Sequence, residues 1–537
     1  MVLPNTELDY DAIVIGAGIS GLYQLYKLRE LGLTVRVLER GAGVGGTWYW
    51  NRYPGARFDS ESYSYAYSFS QELLDEWDWS EHFASQPEIL RYLQHVADKF
   101  GLLKDIQFSS EVKSAVYDDD TRCWEIQLED GKTYTSRFLI TGVGILSQPT
   151  LPKIEGIESF KGQSFHTSRW PHTPVNVAGK KVAVIGTGAT GIQTIQEVSK
   201  DVGHLTVFQL RPEWSAPLHN SKIESDEMKV IRSGYDEMFE LCSQTRAGFL
   251  HTADPRGTFE VSAKERYEFW EKLYASPGFG IWQGNFEDIG TDPEANKAMS
   301  DFLADKIRGR VNDPELAEKL IPKDHGFGTR RVPLETKYFE SYNQENVELI
   351  DISETPIERI TQNGVLTTDQ EFEFDFIIYA TGFDAIFGSY NRIDIRGVNG
   401  RKLREQWEEE LATFLGIQTC NFPNLFMIMG PHAVQGNNPR NIEYNVEWIT
   451  DVIKYMGDRG LTRAEASLEA QIGWHDYVLE QGNDLLMTQV DSWFTGVNSN
   501  LEGRQTRITA MYRGSMQSFR SRCEEVAQNS YTELNLR

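Results

Sequence analysis

Positive charge is in short supply: 53 Lys and Arg face 79 Asp and Glu across 537 residues, for a formal charge of −26 at neutral pH. A phosphate backbone or an anionic lipid surface attracts clustered cations, so this balance argues against general nucleic-acid binding. Long hydrophobic runs are missing too, and none approaches the length that spans a bilayer. The opening Met1-Val2-Leu3-Pro4-Asn5-Thr6-Glu7-Leu8-Asp9 lacks the basic and apolar regions of a signal peptide, so a soluble protein is expected. Cysteine is scarce. Cys123, Cys242, Cys420 and Cys523 lie far apart, with no Cys-x-x-Cys spacing and no Asn-x-Ser/Thr sequon. That argues against a redox-active disulfide and a cysteine zinc site, predicts no bound metal, and fits a reducing cytoplasm. No low-complexity tract is present, and 40% apolar with 25% charged residues is the profile of a globular chain with a large core.

What the sequence does have is a nucleotide motif in its proper setting. Asp11-Ala12-Ile13-Val14-Ile15 is a short buried-type strand, and Gly16-Ala17-Gly18-Ile19-Ser20-Gly21 follows at once. The next segment carries Leu22, Leu25, Tyr26 and Leu28 on one helical face and stops at Gly32, before a second strand from Thr34 to Leu38 that ends at Glu39. Strand, glycine turn, helix and a following acid make up the dinucleotide fingerprint. Gly16 permits the turn, Gly18 lets backbone N–H groups approach a pyrophosphate, and Gly21 allows close helix–strand packing. Glu39 is then placed to accept hydrogen bonds from ribose hydroxyls.

The pattern recurs. Val182-Ala183-Val184-Ile185 leads into Gly186-Thr187-Gly188-Ala189-Thr190-Gly191, and Leu205-Thr206-Val207-Phe208 is the next strand. It ends in Gln209-Leu210-Arg211 rather than in an acid, and a cation there suits the 2′-phosphate of NADP, which favours NADPH. A solvated surface arginine is the competing reading of Arg211.

Two such sites imply one resident and one exchanging dinucleotide, with hydride transfer between them, as in a flavoprotein. The fold class is therefore α/β, with two Rossmann-like dinucleotide-binding domains, for FAD and NADP. Strand-like Phe138-Leu139-Ile140 before Thr141-Gly142-Val143-Gly144, and Phe376-Ile377-Ile378-Tyr379 before Ala380-Thr381-Gly382-Phe383-Asp384, mark the crossings between them. Residues 215–325 carry dense charge at helical spacing and little strand signal, the mark of a helical insertion. The division is then an FAD-binding domain from 1–143 and 381–537 and an NADP-binding domain from 149–214 and 326–380, with the insertion between its two parts.

Two longer signatures resemble those of the Baeyer–Villiger monooxygenases, flavin enzymes related to cyclohexanone and phenylacetone monooxygenase, and the resemblance extends over nearly the whole chain. Phe160-Lys161-Gly162-Gln163-Ser164-Phe165-His166-Thr167-Ser168-Arg169-Trp170-Pro171 is similar to the family's Phe-x-Gly-x-x-x-His-x-x-x-Trp-Pro. Gly45-Gly46-Thr47-Trp48, with Tyr53-Pro54-Gly55 and Asp59, resembles its Gly-Gly-x-Trp…Tyr-Pro-Gly…Asp pattern. The resemblance implies that NADPH reduces FAD, that O₂ adds to the flavin, and that the resulting peroxide anion attacks a ketone to give an ester or lactone. Such chemistry needs a fixed cation that does not give up a proton near neutral pH, which singles out arginine.

By resemblance, Arg331 in Gly328-Thr329-Arg330-Arg331 is the catalytic arginine and Asp59 the carboxylate that pairs with it. Asp59 taken alone reads as a helix N-cap. The FAD contacts carried over are Gly16, Gly18, Ser20, Gly21, Glu39, Arg40, Thr47, Trp48, Asp59, Tyr65 and Val112. Those for NADP are Gly186, Thr187, Gly188, Ala189, Thr190, Gln193, Arg211 and Arg330, with Trp493 closing from a loop. His166 is expected to be structural. Leu210 stands where many relatives have arginine, and Ser499-Asn500-Leu501-Glu502-Gly503 replaces their usual Pro-Gly-Lys, which puts the NADP contacts and loop closure in question. Phe279-Gly280-Ile281-Trp282 and the 427–435 stretch with Met427, His432 and Gln435 are candidates for an apolar substrate pocket, although core packing explains them equally. A monomer acting on a small ketone and O₂ is expected. The rivals are a flavin-dependent N- or S-oxygenase using the same oxidant and a non-catalytic nucleotide-sensing module.

Overall fold

The computed structural model describes residues 8–537; residues 1–7, which carry most of the signal-peptide reading, lie outside the described residues. Two sheets organise the chain. In the first, strands run in the order 394–396, 112–118, 123–128, 133–141, 10–15, 35–38 and 106–107, with 425–427 also pairing on 133–141. Tyr10–Ile15 pairs in parallel with Val35–Leu38 on one side and Thr133–Thr141 on the other, in a register that sets Ala12 against Val35 and Phe138. Ala12, Ile13 and Val14 are fully buried, as expected of a parallel strand covered on both faces.

The second sheet is wholly parallel, in the order 347–351, 204–209, 181–185, 376–379 and 163–166. Its strands come from both sides of a long excursion that contains the helices Ser225–Ser233, Tyr235–Gln244, Ala263–Ala275, Pro293–Arg310 and Pro314–Leu320. Pro293–Arg310 starts where a helix should: Asp292 accepts hydrogen bonds from the Glu294 and Ala295 N–H groups at 2.7 and 2.9 Å, and proline takes the first turn. Its Met299, Leu303 and Ile307 are buried at helical spacing. A two-residue parallel pairing of 216–217 with 334–335 fastens the excursion to the segment that carries Arg331.

The C-terminal part returns to the first sheet. Helix Asn438–Asp458 buries Val446, Ile449, Val452, Ile453 and Met456. It also meets helix Ile19–Glu30 through Tyr23 Oη on Glu447 at 2.9 Å and Gln24 Nε2 on Thr450 at 3.1 Å. Among the described residues no helix is long and apolar enough to cross a membrane.

Candidate functional site

At the end of strand Tyr10–Ile15, the first glycine turn is dictated by contact distances. Gly16 has φ of +102°, and a Cβ there would lie 2.5 Å from the Gly142 carbonyl oxygen; one on Gly21 would lie 1.8 Å from that of Gly16. The helix that opens at Ile19 has Gly18 as its N-cap and no side-chain cap, so its first N–H groups are left for an anion. Glu39, buried, accepts from the Ala17 N–H at 2.7 Å and the Gly41 N–H at 2.6 Å, which fixes its carboxylate against the turn.

A cavity of about 860 Å³ runs from this turn toward the helical excursion. Gly16, Gly18, Ser20, Glu39 and Arg40 line it, as do Thr47, Trp48, Asp59, Tyr65 and Val112; Gly21 does not, since it packs behind the turn. Trp48 Nε1 donates to Tyr65 Oη at 3.2 Å, so these two brace each other. Both glycine-lined approach and uncapped helix suit a dinucleotide, and the volume sits at the upper end of small-molecule sites, about 300–1,000 Å³.

Arg331 and Asp59 meet in the wall of this cavity. Arg331 Nη2 stands 2.6 Å from Asp59 Oδ2, and the same oxygen accepts from the Leu334 N–H at 3.2 Å. The Asp59 side chain is completely buried while Arg331 keeps 28% exposure, so the carboxylate is the fixed partner and the guanidinium faces the cavity. Asp59 Oδ1 is buried without a hydrogen-bond partner in the structure, a polar atom left for a ligand or water. The helix-cap reading of Asp59 is not what the structure shows: the N-cap position of the short helix Ser62–Tyr65 is Glu61, with no side-chain cap bond.

The second glycine turn repeats the first. Gly186 has φ of +108°, and a Cβ on Gly191 would lie 2.2 Å from the Gly186 carbonyl. Helix Ala189–Val198 has Gly188 as N-cap with no side-chain cap, and a Cβ on Gly188 would meet nothing within 4 Å, so the approach is open. This turn does not line the first cavity. Thr187 Oγ1 donates to the Arg211 carbonyl at 2.8 Å, and Thr190 Oγ1 accepts from Thr167 at 3.4 Å. Gln193 is buried, and its amide accepts from Tyr53 Oη at 2.8 Å and donates to the Arg57 carbonyl at 3.0 Å, bridging the two units.

Arg330 and Arg331 have separate partners, Arg331 on Asp59 and Arg330 on Glu213 and Asp324. Arg330 reaches Glu213 at 3.0 Å and Asp324 at 3.4 Å, and Arg211 approaches the same Asp324 at 3.8 Å. His325 completes the cluster, 2.7 Å from Asp324 and 3.3 Å from Glu213. The hydrogen bond from His325, against burial and with help from the His325, Arg330 and Arg211 charges, takes Asp324 down to about 2. Burial opposes charging of His325, and its hydrogen bonds to Asp324 and Glu213 outweigh that and raise its pKa. Arg211 is exposed, as is Leu210, and its approach to Asp324 is an ion pair at the solvent surface without a hydrogen bond.

Trp493 lines the cavity from a short 3₁₀ turn, against Phe494 with ring centroids 4.4 Å apart. The loop beyond it is docked, with Asn498 and Asn500 donating to the Phe383 and Thr381 carbonyls at 2.9 and 3.0 Å. Of the expected pocket residues, Phe279, Trp282 and Gln435 line the cavity; Ile281, Met427 and His432 do not. Met427 lies in the strand paired with Thr141, and His432 is sealed in the core with Nε2 2.9 Å from the Thr509 carbonyl and its pKa pushed down by burial to about 4. His166 is buried and caps the turn 167–169 by accepting from the Ser168 N–H at 3.1 Å. Burial lowers its pKa to about 4, which keeps it neutral in that structural role.

Sequence reasoning missed the far wall. His251 Nε2 lies 3.0 Å from Glu61 Oε1 on the cavity surface, and Arg246 and Arg513 line the same space. No local motif marks these residues, because His251 and Arg246 come from the excursion, Glu61 from the N-terminal part and Arg513 from the C-terminal part, and only long-range packing gathers them.

Comparison with known proteins agrees with this geometry. Residues 11–217 match the family described as flavin-binding monooxygenase-like. The chain is 44% identical to a 2-oxo-Δ³-4,5,5-trimethylcyclopentenylacetyl-CoA monooxygenase of Pseudomonas putida, over 98% of both chains. It is 39% identical to a Baeyer–Villiger monooxygenase of Pseudooceanicola batsensis, over 98% of this chain and 96% of that one. A phenazine N-monooxygenase of Lysobacter antibioticus is also 39% identical, over 99% and 97%. Among solved structures, OTEMO in complex with FAD and NADP superposes with a TM-score of 0.95 at 43% identity, covering 99% of this chain and all of that one. With both glycine turns, both signatures and full-length similarity in place, the chain belongs to the Baeyer–Villiger branch of the flavin-binding monooxygenases.

Proposed function

We propose that the chain is an FAD- and NADPH-dependent monooxygenase that converts a ketone to an ester or lactone, with Arg331 as its catalytic cation and Asp59 as the group that positions it. The balanced reaction consumes the ketone, O₂, NADPH and a proton, and yields the ester, NADP⁺ and water. Bound FAD, once reduced by NADPH, supplies the activation of O₂. The observation that carries the assignment is the Arg331–Asp59 contact of 2.6 Å in the wall of a cavity continuous with the first glycine turn.

Asp59, buried and hydrogen-bonded, restricts the guanidinium to one edge of the cavity. Arg331 then presents fixed positive charge to oxygen atoms on which negative charge develops, without a proton it can lose near neutral pH. Glu39 and the first helix N-terminus take the ribose and pyrophosphate of FAD. The second turn takes the pyrophosphate of NADPH, with Arg211 and Arg330 on its 2′-phosphate and Trp493 folding over it.

A monomer is part of this reading, and four free cysteines far apart support a cytoplasmic setting. The 1–143/381–537 and 149–214/326–380 division is supported by the two sheets drawing their strands from those ranges. Product analysis with a cyclic ketone and a thioether tests the reading. Lactone from the ketone is expected, whereas exclusive oxidation of the thioether overturns it in favour of heteroatom oxygenation.

A further inference from the structure

Arg513 lines the cavity beside Phe494, with its Nη2 donating to the Phe494 carbonyl at 2.5 Å and its guanidinium 5.2 Å from that ring's centroid. Nε and Nη1 have no acceptor among the described residues, yet neither is sealed inside protein. Burial alone, with no charged neighbour contributing, pushes its pKa down to about 10. Arg246 adjoins it, donating from Nη2 to the Arg513 carbonyl at 3.0 Å, and is itself exposed at the cavity's edge. Of the other arginines lining this cavity, Arg331, Arg57 and Arg40 have carboxylate partners in Asp59, Glu81 and Glu111, whereas Arg169 and Arg392 have none within 4 Å among the described residues. Arg246 and Arg513 have none within 4 Å among the described residues.

Withdrawing a guanidinium from water without a counter-ion is costly, and in a chain with 26 excess negative charges a carboxylate partner was not hard to supply. With one Nη2 hydrogen committed to Phe494, Arg513 keeps one two-nitrogen edge of its guanidinium, which suffices to bind a carboxylate in bidentate fashion. The nearby wall of Phe249, Phe279, Trp282 and Met511 is apolar and suits a hydrocarbon ring. We propose that Arg246 and Arg513 form an anion-binding subsite of the cavity, and that the favoured substrates are ketones that carry a carboxylate. The inference rests on the cavity being the ketone-oxidising site. A phosphate of the coenzyme offers the same anionic chemistry, and the test separates the two sources.

The holoenzyme is assayed with a cyclopentanone bearing a carboxylate and with the methyl ester of the same compound, which keeps ring and carbonyl and removes the charge. The wild type is expected to favour the acid in kcat/KM by about tenfold or more, and Arg513→Met to lower that acid-to-ester ratio by about tenfold. Arg246→Gln, at an exposed position that cannot disrupt the core, is expected to lower the ratio by about threefold and decides the matter if Arg513→Met does not fold. No preference in the wild type, or an unchanged ratio in the variants, overturns the subsite. NADP⁺ titration of the same proteins is expected to be unaffected; weakened NADP⁺ binding with the ratio intact assigns the arginines to the coenzyme and overturns the substrate inference. If the wild type oxygenates neither compound, the functional reading fails. Calorimetry then decides the subsite alone: tighter binding of the acid than of the ester, lost in Arg246→Gln, supports it, and equal binding overturns it.

Discussion

Arg331 and Asp59, far apart in the sequence, are joined by a contact of 2.6 Å between Nη2 and Oδ2, with the carboxylate wholly buried and the guanidinium open to the cavity. The asymmetry means that the pair is structural on one side and chemical on the other. Arg331→Ala leaves a buried carboxylate with no counter-ion, at a cost of about 3–5 kcal/mol. The double variant Asp59→Ala/Arg331→Ala is expected to recover part of that loss. Denaturant unfolding of both singles and the double measures the coupling; strict additivity contradicts the pairing.

Arg330→Ala is expected to weaken NADP⁺ binding by about tenfold to a hundredfold, the worth of a hydrogen-bonded charge contact, while NAD⁺ binding changes little. Fluorescence titration with both coenzymes checks this. Equal losses remove Arg330 from the 2′-phosphate site and leave it as a partner of Glu213 and Asp324 alone.

His325 gives a pH dependence with a definite sign. Its pKa lies above the ordinary 6.5 in the folded protein, set by Asp324 and Glu213 against burial. The stabilisation it gives is therefore complete below about pH 6.5 and is lost as pH rises through the raised folded value. The Tm gap between wild type and His325→Gln should be widest in mild acid and close on going alkaline. A gap that widens with pH contradicts the assignment.

The two glycine turns predict separable failures. Gly191→Ala places a Cβ 2.2 Å from the Gly186 carbonyl, and Gly21→Ala places one 1.8 Å from that of Gly16. Gly191→Ala is expected to lose NADP⁺ binding while keeping the yellow flavin, and Gly21→Ala to lose the flavin. Absorbance spectra of the purified proteins show which has happened, and loss of flavin from Gly191→Ala contradicts the allocation of the turns.

Strands, glycine turns and Glu39 were legible because each depends on neighbours in sequence: burial period, φ sign and a fixed offset. The helical excursion was legible from charge spacing, though the pairing of 216–217 with 334–335 that anchors Arg331 was not. Asp59 needed the family signature, since its local sequence reads as a cap and its partner comes from another segment. Gln193 lies on the glycine-turn helix and bonds to Tyr53 and Arg57, and Met427 and His432, for which the sequence left pocket and core equally open, sit in the core. Arg513 and the His251–Glu61 pair had no sequence signal, because only tertiary packing gathers them.

The central claim is that Arg331 serves oxygen transfer rather than cofactor retention. Purified Arg331→Ala is mixed with NADPH without oxygen, to follow bleaching of the flavin, and is then given O₂ and a cyclic ketone for product analysis. Bleaching of bound flavin with loss of lactone is the predicted result. Lactone yield equal to that of the wild type contradicts it.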